Sequence, residues 1–278
     1  MGVRREAKEP LQLHADFHIA PGNRPLLDSG ACVSADTTGV EDTPLTAARR
    51  AARAHTTWSD GILGVPALVD LYGSQGFDVL CITDHTCNGL THITAANYHD
   101  YLAEIEREAA RASEQYGLLV IPGLELTYSG TDPGESAHAL AVGLRSFVSV
   151  ELGIDGAIET AVAAGAALVA AHPYDDAPSP AGHTPHPGRL TQRFARDPEL
   201  VSRMHRFELF NRTELFSWVA KAGLPCLATG DFHRLEHLGG WKSVIPCARR
   251  EEAVVSHLRS RRPVFLTQVG AQAAPMAA

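Results

Sequence analysis

The chain has 278 residues, 45% of them hydrophobic and 20% charged, with a formal net charge of −8. That length suits two modest domains or one α/β barrel, and the composition is ordinary for a globular protein with a sizeable core. The acidic balance excludes a broad basic surface for duplex DNA or an anionic membrane. It leaves room for a small phosphorylated substrate, because bound cations reverse the local sign.

The first residues are polar, and no apolar run has the length of a signal peptide or a membrane span, so a cytoplasmic protein is the expectation. Short apolar runs at 11–18, 79–83, 118–121, 138–142, 167–171, 206–210 and 225–229 read as strands, with two more at 243–245 and 263–266. Helical spacing fills 65–75, 98–116, 155–164 and 214–222, and Gly76 and Gly117 stand where left-handed C-terminal caps belong. The alternation predicts parallel strands, in a barrel or a doubly wound sheet, within one α/β domain over 11–267. Residues 1–10 and 268–278 read as flexible termini.

Two stretches break the rhythm. Residues 20–54 are rich in Pro, Gly, Thr, Ala and Arg with little apolar periodicity, and so read as an irregular insertion. Residues 173–188 are proline-rich and read equally as a surface loop or as a lid. The five cysteines form no C-x-x-C pair, and Cys81 and Cys226, lying in apolar runs, read as buried reduced thiols.

Metal-binding side chains gather at the ends of the apolar runs. Asp84 and His85 end one of them, and Asp231-Phe232-His233 follows another. Alternate residues of an extended chain share a face, so Asp231 and His233 can reach one point. Glu125 follows a third run, and its two oxygens can bridge two cations. His138 opens a run, His172 closes one, and Asp60 sits in Ser59-Asp60-Gly61. Singly, each has a plain explanation: a helix cap, a surface glutamate, a core histidine, a turn. Jointly they place imidazoles and carboxylates, without thiolate, at successive strand ends, as in sites where metal ions activate water for hydrolysis. Such donors suit Mn²⁺, Fe²⁺ or Zn²⁺ alike. No Gly-x-Ser-x-Gly elbow or phosphate-cradling Gly-rich loop supports a nucleophilic serine or a P-loop instead.

Read together, His55-Thr56-x-x-Ser59-Asp60-Gly61, Ile82-Thr83-Asp84-His85, Gly123-x-Glu125, His138, His172-Pro173 and Gly230-Asp231-x-His233 resemble the PHP (polymerase and histidinol phosphatase) family. The resemblance implies a distorted (β/α)7 TIM-like barrel with a trinuclear metal centre that hydrolyses phosphate esters. It also implies the ligand sets. An opening His-x-His, Glu125 and Asp231 would hold one metal. Glu125, His138 and His172 would hold the second, and Asp60, His85 and His233 the third.

The opening pair departs from the family pattern. Asp16-Phe17-His18-Ile19 supplies its first part and His55 its second, with 20–54 between them. Deleting that segment would restore the motif, so His18 and His55 are the expected pair, with His14 a weaker substitute for His18. The segment either loops out, at a closure cost that grows slowly with length, or displaces one histidine, or is absent from the working protein. Arg53 stands two residues before His55, where a ligand histidine would otherwise sit, and as a permanent cation it cannot bind a metal.

Asp84 and His85 are the candidates for proton transfer to the leaving group. Arg234 and Asn211 are the candidates for substrate contact, with Arg189, Arg212 and Lys242 behind them and Trp58, Tyr174 and Trp241 as stacking platforms for a base. The expected reaction is hydrolysis, by a metal-activated water, of a small phosphorylated metabolite or a nucleotide end. Amide hydrolysis is the alternative chemistry. A catalytically impaired barrel kept as a binding module is the alternative class.

Overall fold

The computed structural model describes residues 48–89, 92–175 and 191–270. The expectations for His14, His18, Arg189, the strand at 11–18, both termini apart from 268–270, and most of 20–54 and 173–188 lie outside the described residues.

In chain order the elements are β1 (Ala48–Ala54), α1 (Val65–Ser74), β2 (Val79–Cys87), α2 (Tyr98–Tyr116), β3 (Leu119–Tyr128), β4 (Ala137–Val142), α3 (Ile154–Ala163) and β5 (Ala167–Ala170). Then follow α4 (Arg193–Arg196), α5 (Pro198–Arg203), β6 (Arg206–Asn211), β7 (Glu214–Leu215), α6 (Ser217–Lys221), β8 (Cys226–Ala228), β9 (Gly240–Pro246), α7 (Glu251–Arg259) and β10 (Phe265–Val269). They build one sheet in the order β10-β9-β1-β2-β3-β4-β5-β6-β7, with β8 paired to β6.

The fold is α/β, as the alternation implies, but the sheet is mixed. β1–β2, β2–β3, β5–β6 and β6–β8 are parallel. β4 runs antiparallel to both β3 and β5; no helix separates it from β3 to carry the chain back. β9 and β10 are antiparallel additions beside β1. The sheet also curls. Beyond β8 the chain meets the end of β1: the N–H of Arg53 donates to the Thr229 carbonyl at 2.9 Å, and that of His55 to the Phe232 carbonyl at 2.9 Å. Strand ends far apart in sequence are thereby gathered at one mouth.

β2 shows why the sheet is stable. Val79, Leu80 and Ile82 are fully buried, as expected for a strand covered on both faces. α2 packs Tyr101, Ile105 and Ala112 into the same core and ends at Gly117, whose φ of 62° is the expected left-handed cap.

Three expectations need correction. Residues 48–54, read as part of an irregular insertion, form β1, hydrogen-bonded to β2 on one side and β9 on the other. That strand, and not 11–18, leads into His55. Its sequence, Ala-Arg-Arg-Ala-Ala-Arg-Ala, has no apolar alternation to reveal it. Local partners hold it instead: the N–H of Arg50 donates to Asp78 Oδ2 at 2.9 Å, and the Arg50 guanidinium lies 4.3 Å from the centre of the Phe77 ring. The helix expected over 214–222 is the shorter α6, since Glu214–Leu215 pairs with β6 as β7. Cys226 is disulfide-bonded and not a free thiol; apolar neighbours do not distinguish the two states. Cys81 is a buried free thiol as expected.

Candidate metal centre

Eight of the predicted ligands converge, in overlapping sets around His55 and Glu125. The imidazole of His55 is fully buried, with the ring centres of His85 and His233 each 4.3 Å from its own and 6.3 Å from one another. Asp60 faces all three: its carboxylate lies 3.8 Å from His55 Nδ1, 3.6 Å from His85 Nε2 and 3.2 Å from His233 Nε2. A second set forms around Glu125, whose Oε1 lies 3.4 Å from His138 Nδ1 and 3.5 Å from His172 Nε2. Those two ring nitrogens are 3.0 Å apart. Ligand atoms in each set lie within 4.8 Å of one another, close enough to share a cation.

Local chain geometry aims these groups. The turn after β1 is closed by the Gly61 N–H donating to the Thr56 carbonyl at 2.9 Å, and a Cβ on Gly61 would fall 2.3 Å from the His55 carbonyl oxygen. Only glycine fits there, which explains Ser-Asp-Gly and presents Asp60 beside His55. His172, Arg212 and Asp231 have positive φ of 32°, 56° and 40°. Non-glycine residues rarely adopt this conformation, and such strain concentrates at functional sites. Glu208, buried under the centre, accepts hydrogen bonds from the N–H of His172 and the hydroxyl of Thr229. It thereby fixes the strained turn at His172.

Partners of the far ring nitrogens set tautomers, as they do around bound metals. His85 Nδ1 meets the Thr127 hydroxyl at 2.7 Å, and His233 Nδ1 donates to the Asp231 carbonyl at 3.1 Å. Each leaves Nε2 directed at Asp60. His55 Nε2 lies 3.3 Å from Glu125 Oε2 and 3.2 Å from Asp231 Oδ1. A proton on Nε2 shared with those carboxylates leaves Nδ1 facing Asp60.

Burial favours the neutral form of His55, His85 and His172. Burial, reinforced by the nearby His85 and Arg53 charges, holds the imidazole of His55 well below its ordinary pKa. Burial also brings His85 down to about 4 and lowers His172 strongly. Partial burial would raise Asp60, but the hydrogen bond from His233 and the charges of His85 and His233 outweigh it and hold the carboxyl well below its usual range. Neutral imidazoles facing ionised carboxylates are the donor state that divalent cations need. Buried ligand atoms without a hydrogen-bond partner include His55 Nδ1 in the first set and Glu125 Oε1 in the second. Such orphaned atoms are costly unless a ligand satisfies them, so both sets fit divalent cations.

The third expected set does not fit. His55, Glu125 and Asp231 also lie close together, but the guanidinium of Arg53 fills the space between them. Its Nη1 donates to Glu125 Oε2 at 2.8 Å and its Nη2 pairs with Asp231 Oδ1. The expected pairing of His18 with His55 lies outside the described residues; two residues before His55, on β1, stands Arg53.

Three further roles differ from expectation. Asp84 is not free to pass a proton to a leaving group. It is fully buried and accepts from the Thr56 N–H at 2.8 Å, the Thr56 hydroxyl at 2.9 Å and the Ser59 hydroxyl at 2.6 Å. Asn211 is 1% exposed and donates to Asp231 Oδ2 at 3.0 Å, so it positions a carboxylate and does not face substrate. Arg234 points to solvent, 3.7 Å from Glu236, with 61% of its side chain exposed. Its place at the centre is taken by Arg212, which donates to Asp231 Oδ2 at 2.9 Å. Lys242 is buried with its ammonium on the Gly239 carbonyl at 2.6 Å, and Trp58 donates its indole N–H to Glu104 at 2.7 Å. Trp241 stacks on Phe210.

Sequence reasoning missed Glu208, Thr127 and His237, whose Nδ1 accepts from the His233 N–H at 3.1 Å. Only the His-x-x-x-His spacing of 233 and 237 hinted at any of them.

The fold is that of a known class of structure. A two-domain protein from Bacteroides vulgatus, containing a predicted PHP-like metal-dependent phosphoesterase, superposes with a TM-score of 0.56 at 19% identity, over 80% of this chain. This chain spans 65% of that protein's length. A protein from Bifidobacterium adolescentis, named as a candidate metal-dependent phosphoesterase, matches at a TM-score of 0.41 and 17% identity, over 66% of this chain and 87% of its own. That second likeness is too distant to carry weight. No family model and no curated protein matches the sequence.

Proposed function

We propose that this PHP-like fold is a metal-dependent phosphoesterase acting on a small phosphorylated metabolite or a nucleotide end. The observation that carries the reading is the convergence of His55, Asp60, His85 and His233 on one point and of Glu125, His138 and His172 on a neighbouring one, each with an unsatisfied buried donor atom. Divalent cations bound there would activate water and neutralise charge on a phosphoryl group.

The chain's own residues supply the rest. Thr127, and the carbonyl of Asp231, orient His85 and His233, while Asp84 and Gly61 hold the turn that presents Asp60. Arg212, 31% exposed beside Asp231, supplies a guanidinium to a phosphate at the rim. Burial lowers the pKa of His55, His85 and His172, which favours their unprotonated form at neutral pH, and His85 is the group we assign to the leaving oxygen. Trp58 is tied by its indole N–H to Glu104, Trp241 stacks on Phe210 and Tyr174 packs edge-on against Trp218, and none of these contacts points to a base, so the substrate class is stated no more narrowly. No described helix is long and apolar enough to cross a membrane.

A panel of phosphate monoesters and diesters, run beside amide substrates with added Mn²⁺, tests the class. Phosphate release without amide cleavage is expected. Amide cleavage alone would move the chain to the alternative chemistry, and inactivity on both would leave it a binding module.

A further inference from the structure

We propose that Arg53 is a built-in cation standing in for one metal ion, so that the centre takes two divalent ions and not three. The proposal rests on the reading of the two ligand sets as metal sites.

Arg53 and His55 are alternate residues at the end of β1 and share a face, so a residue at position 53 is delivered to the same point as the imidazole. The Arg53 side chain is 3% exposed and runs into the middle of the third set. Nη1 donates to Glu125 Oε2 at 2.8 Å, Nη2 pairs with Asp231 Oδ1, and Nη2 lies 3.0 Å from His55 Nε2. The two carboxylate oxygens, Glu125 Oε2 and Asp231 Oδ1, are ones that a metal there would need. The space between them is filled by the guanidinium, which is positively charged at every working pH. A metal ion in addition would face that charge at contact distance with no dielectric to screen it.

Charge counting agrees. Glu125 and Asp231 contribute two buried negative charges, and Arg53 and Arg212 supply two positive ones on the same oxygens. Asn211 also donates to Asp231. Asp231 has Arg212 and Asn211 on Oδ2 and the Arg53 guanidinium against Oδ1, whereas Oε1 of Glu125 faces His138 and His172. Glu125 then links Arg53 to one metal ion and does not bridge two. A guanidinium neutralises and fixes these carboxylates, but it has no open coordination position and cannot activate water. Water activation is left to the other two sets.

Elemental analysis of the full chain after Mn²⁺ loading and desalting, with its R53H variant alongside, tests this. About two Mn²⁺ per chain are expected in the parent and about three in R53H, since a histidine would free the Glu125 and Asp231 oxygens and add a ligand. Anomalous diffraction from the Mn²⁺-loaded parent chain gives an answer that does not depend on the variant folding. Two peaks are expected, neither in contact with Asp231. Three ions in the parent, a peak between Glu125 and Asp231, or a folded R53H that stays at two would overturn the proposal while leaving the phosphoesterase reading intact. No bound ion in the parent would overturn both.

Discussion

The backbone N–H of Thr56 donates to Oδ1 of Asp84 at 2.8 Å, tying the turn after β1 to the end of β2. Two more donors from that turn, the hydroxyls of Thr56 and Ser59, complete the grip. Burial raises the Asp84 pKa, and the hydrogen bonds of Ser59 and Thr56 counter it. A carboxylate so placed is a brace for His55 and Asp60. Asp84→Asn presents an amide N–H to donors and should cost about 1–3 kcal/mol of stability. Metal affinity should weaken about 10-fold to 100-fold, as when partners of ligands are removed. Calorimetric Mn²⁺ titration reads the affinity. Unchanged affinity with kcat abolished at saturating metal would restore Asp84 as a proton donor.

Glu208 has a comparable duty at the second set. It accepts the N–H of His172, a residue at φ 32°, and the hydroxyl of Thr229. Glu208→Gln leaves one of these donors facing an amide N–H. The expected result is a drop in Tm together with the selective loss of one bound ion. A variant that keeps both ions and the parent Tm would contradict the role.

Acid should destabilise the metal-free chain. The pKa of His85 is brought down to about 4 by burial, and that of His237 to about 4 chiefly by burial too. Unfolded histidines titrate near ~6.5, so between these values the unfolded chain binds more protons than the folded one. Stability is then complete above pH ~6.5 and falls as pH drops towards ~4. Urea denaturation of chelator-treated protein at several pH values should show midpoints falling over that interval. A midpoint independent of pH there would show that these rings are not held neutral.

Gly61 offers a steric test. Its substitution by alanine drives a Cβ into the His55 carbonyl, and such overpacking costs about 1–3 kcal/mol. The Gly61→Ala protein should melt lower and lose the ion bound through Asp60 before the one bound through Glu125. Parent-like melting and loading would mean that the turn is looser than described.

Much of this was legible in the chain. The apolar run 79–83 and the helical spacing of 98–116 are long-range signals of burial, and both elements form as read. Asp60, His85, His138, His172 and His233 meet because strand ends with matching grammar share one mouth. β1 was not legible, because its Arg- and Ala-rich sequence gains strand geometry only from β2 and β9, which follow it in the chain. The permanent charge of Arg53 marks it as a non-ligand from sequence alone, while its position between Glu125 and Asp231 follows only from the pairing of β1. Asn211 and Asp84 were assigned outward roles because hydrogen bonds between distant segments leave no pattern in sequence.

Phosphate release before and after metal removal tests the central claim most directly. The full chain, stripped with chelator, should release phosphate from no ester; reloaded with Mn²⁺ it should regain hydrolysis of at least one, and H172A should not regain it. Hydrolysis that survives complete stripping, or a fully reloaded chain that cleaves no phosphate ester, would contradict the account.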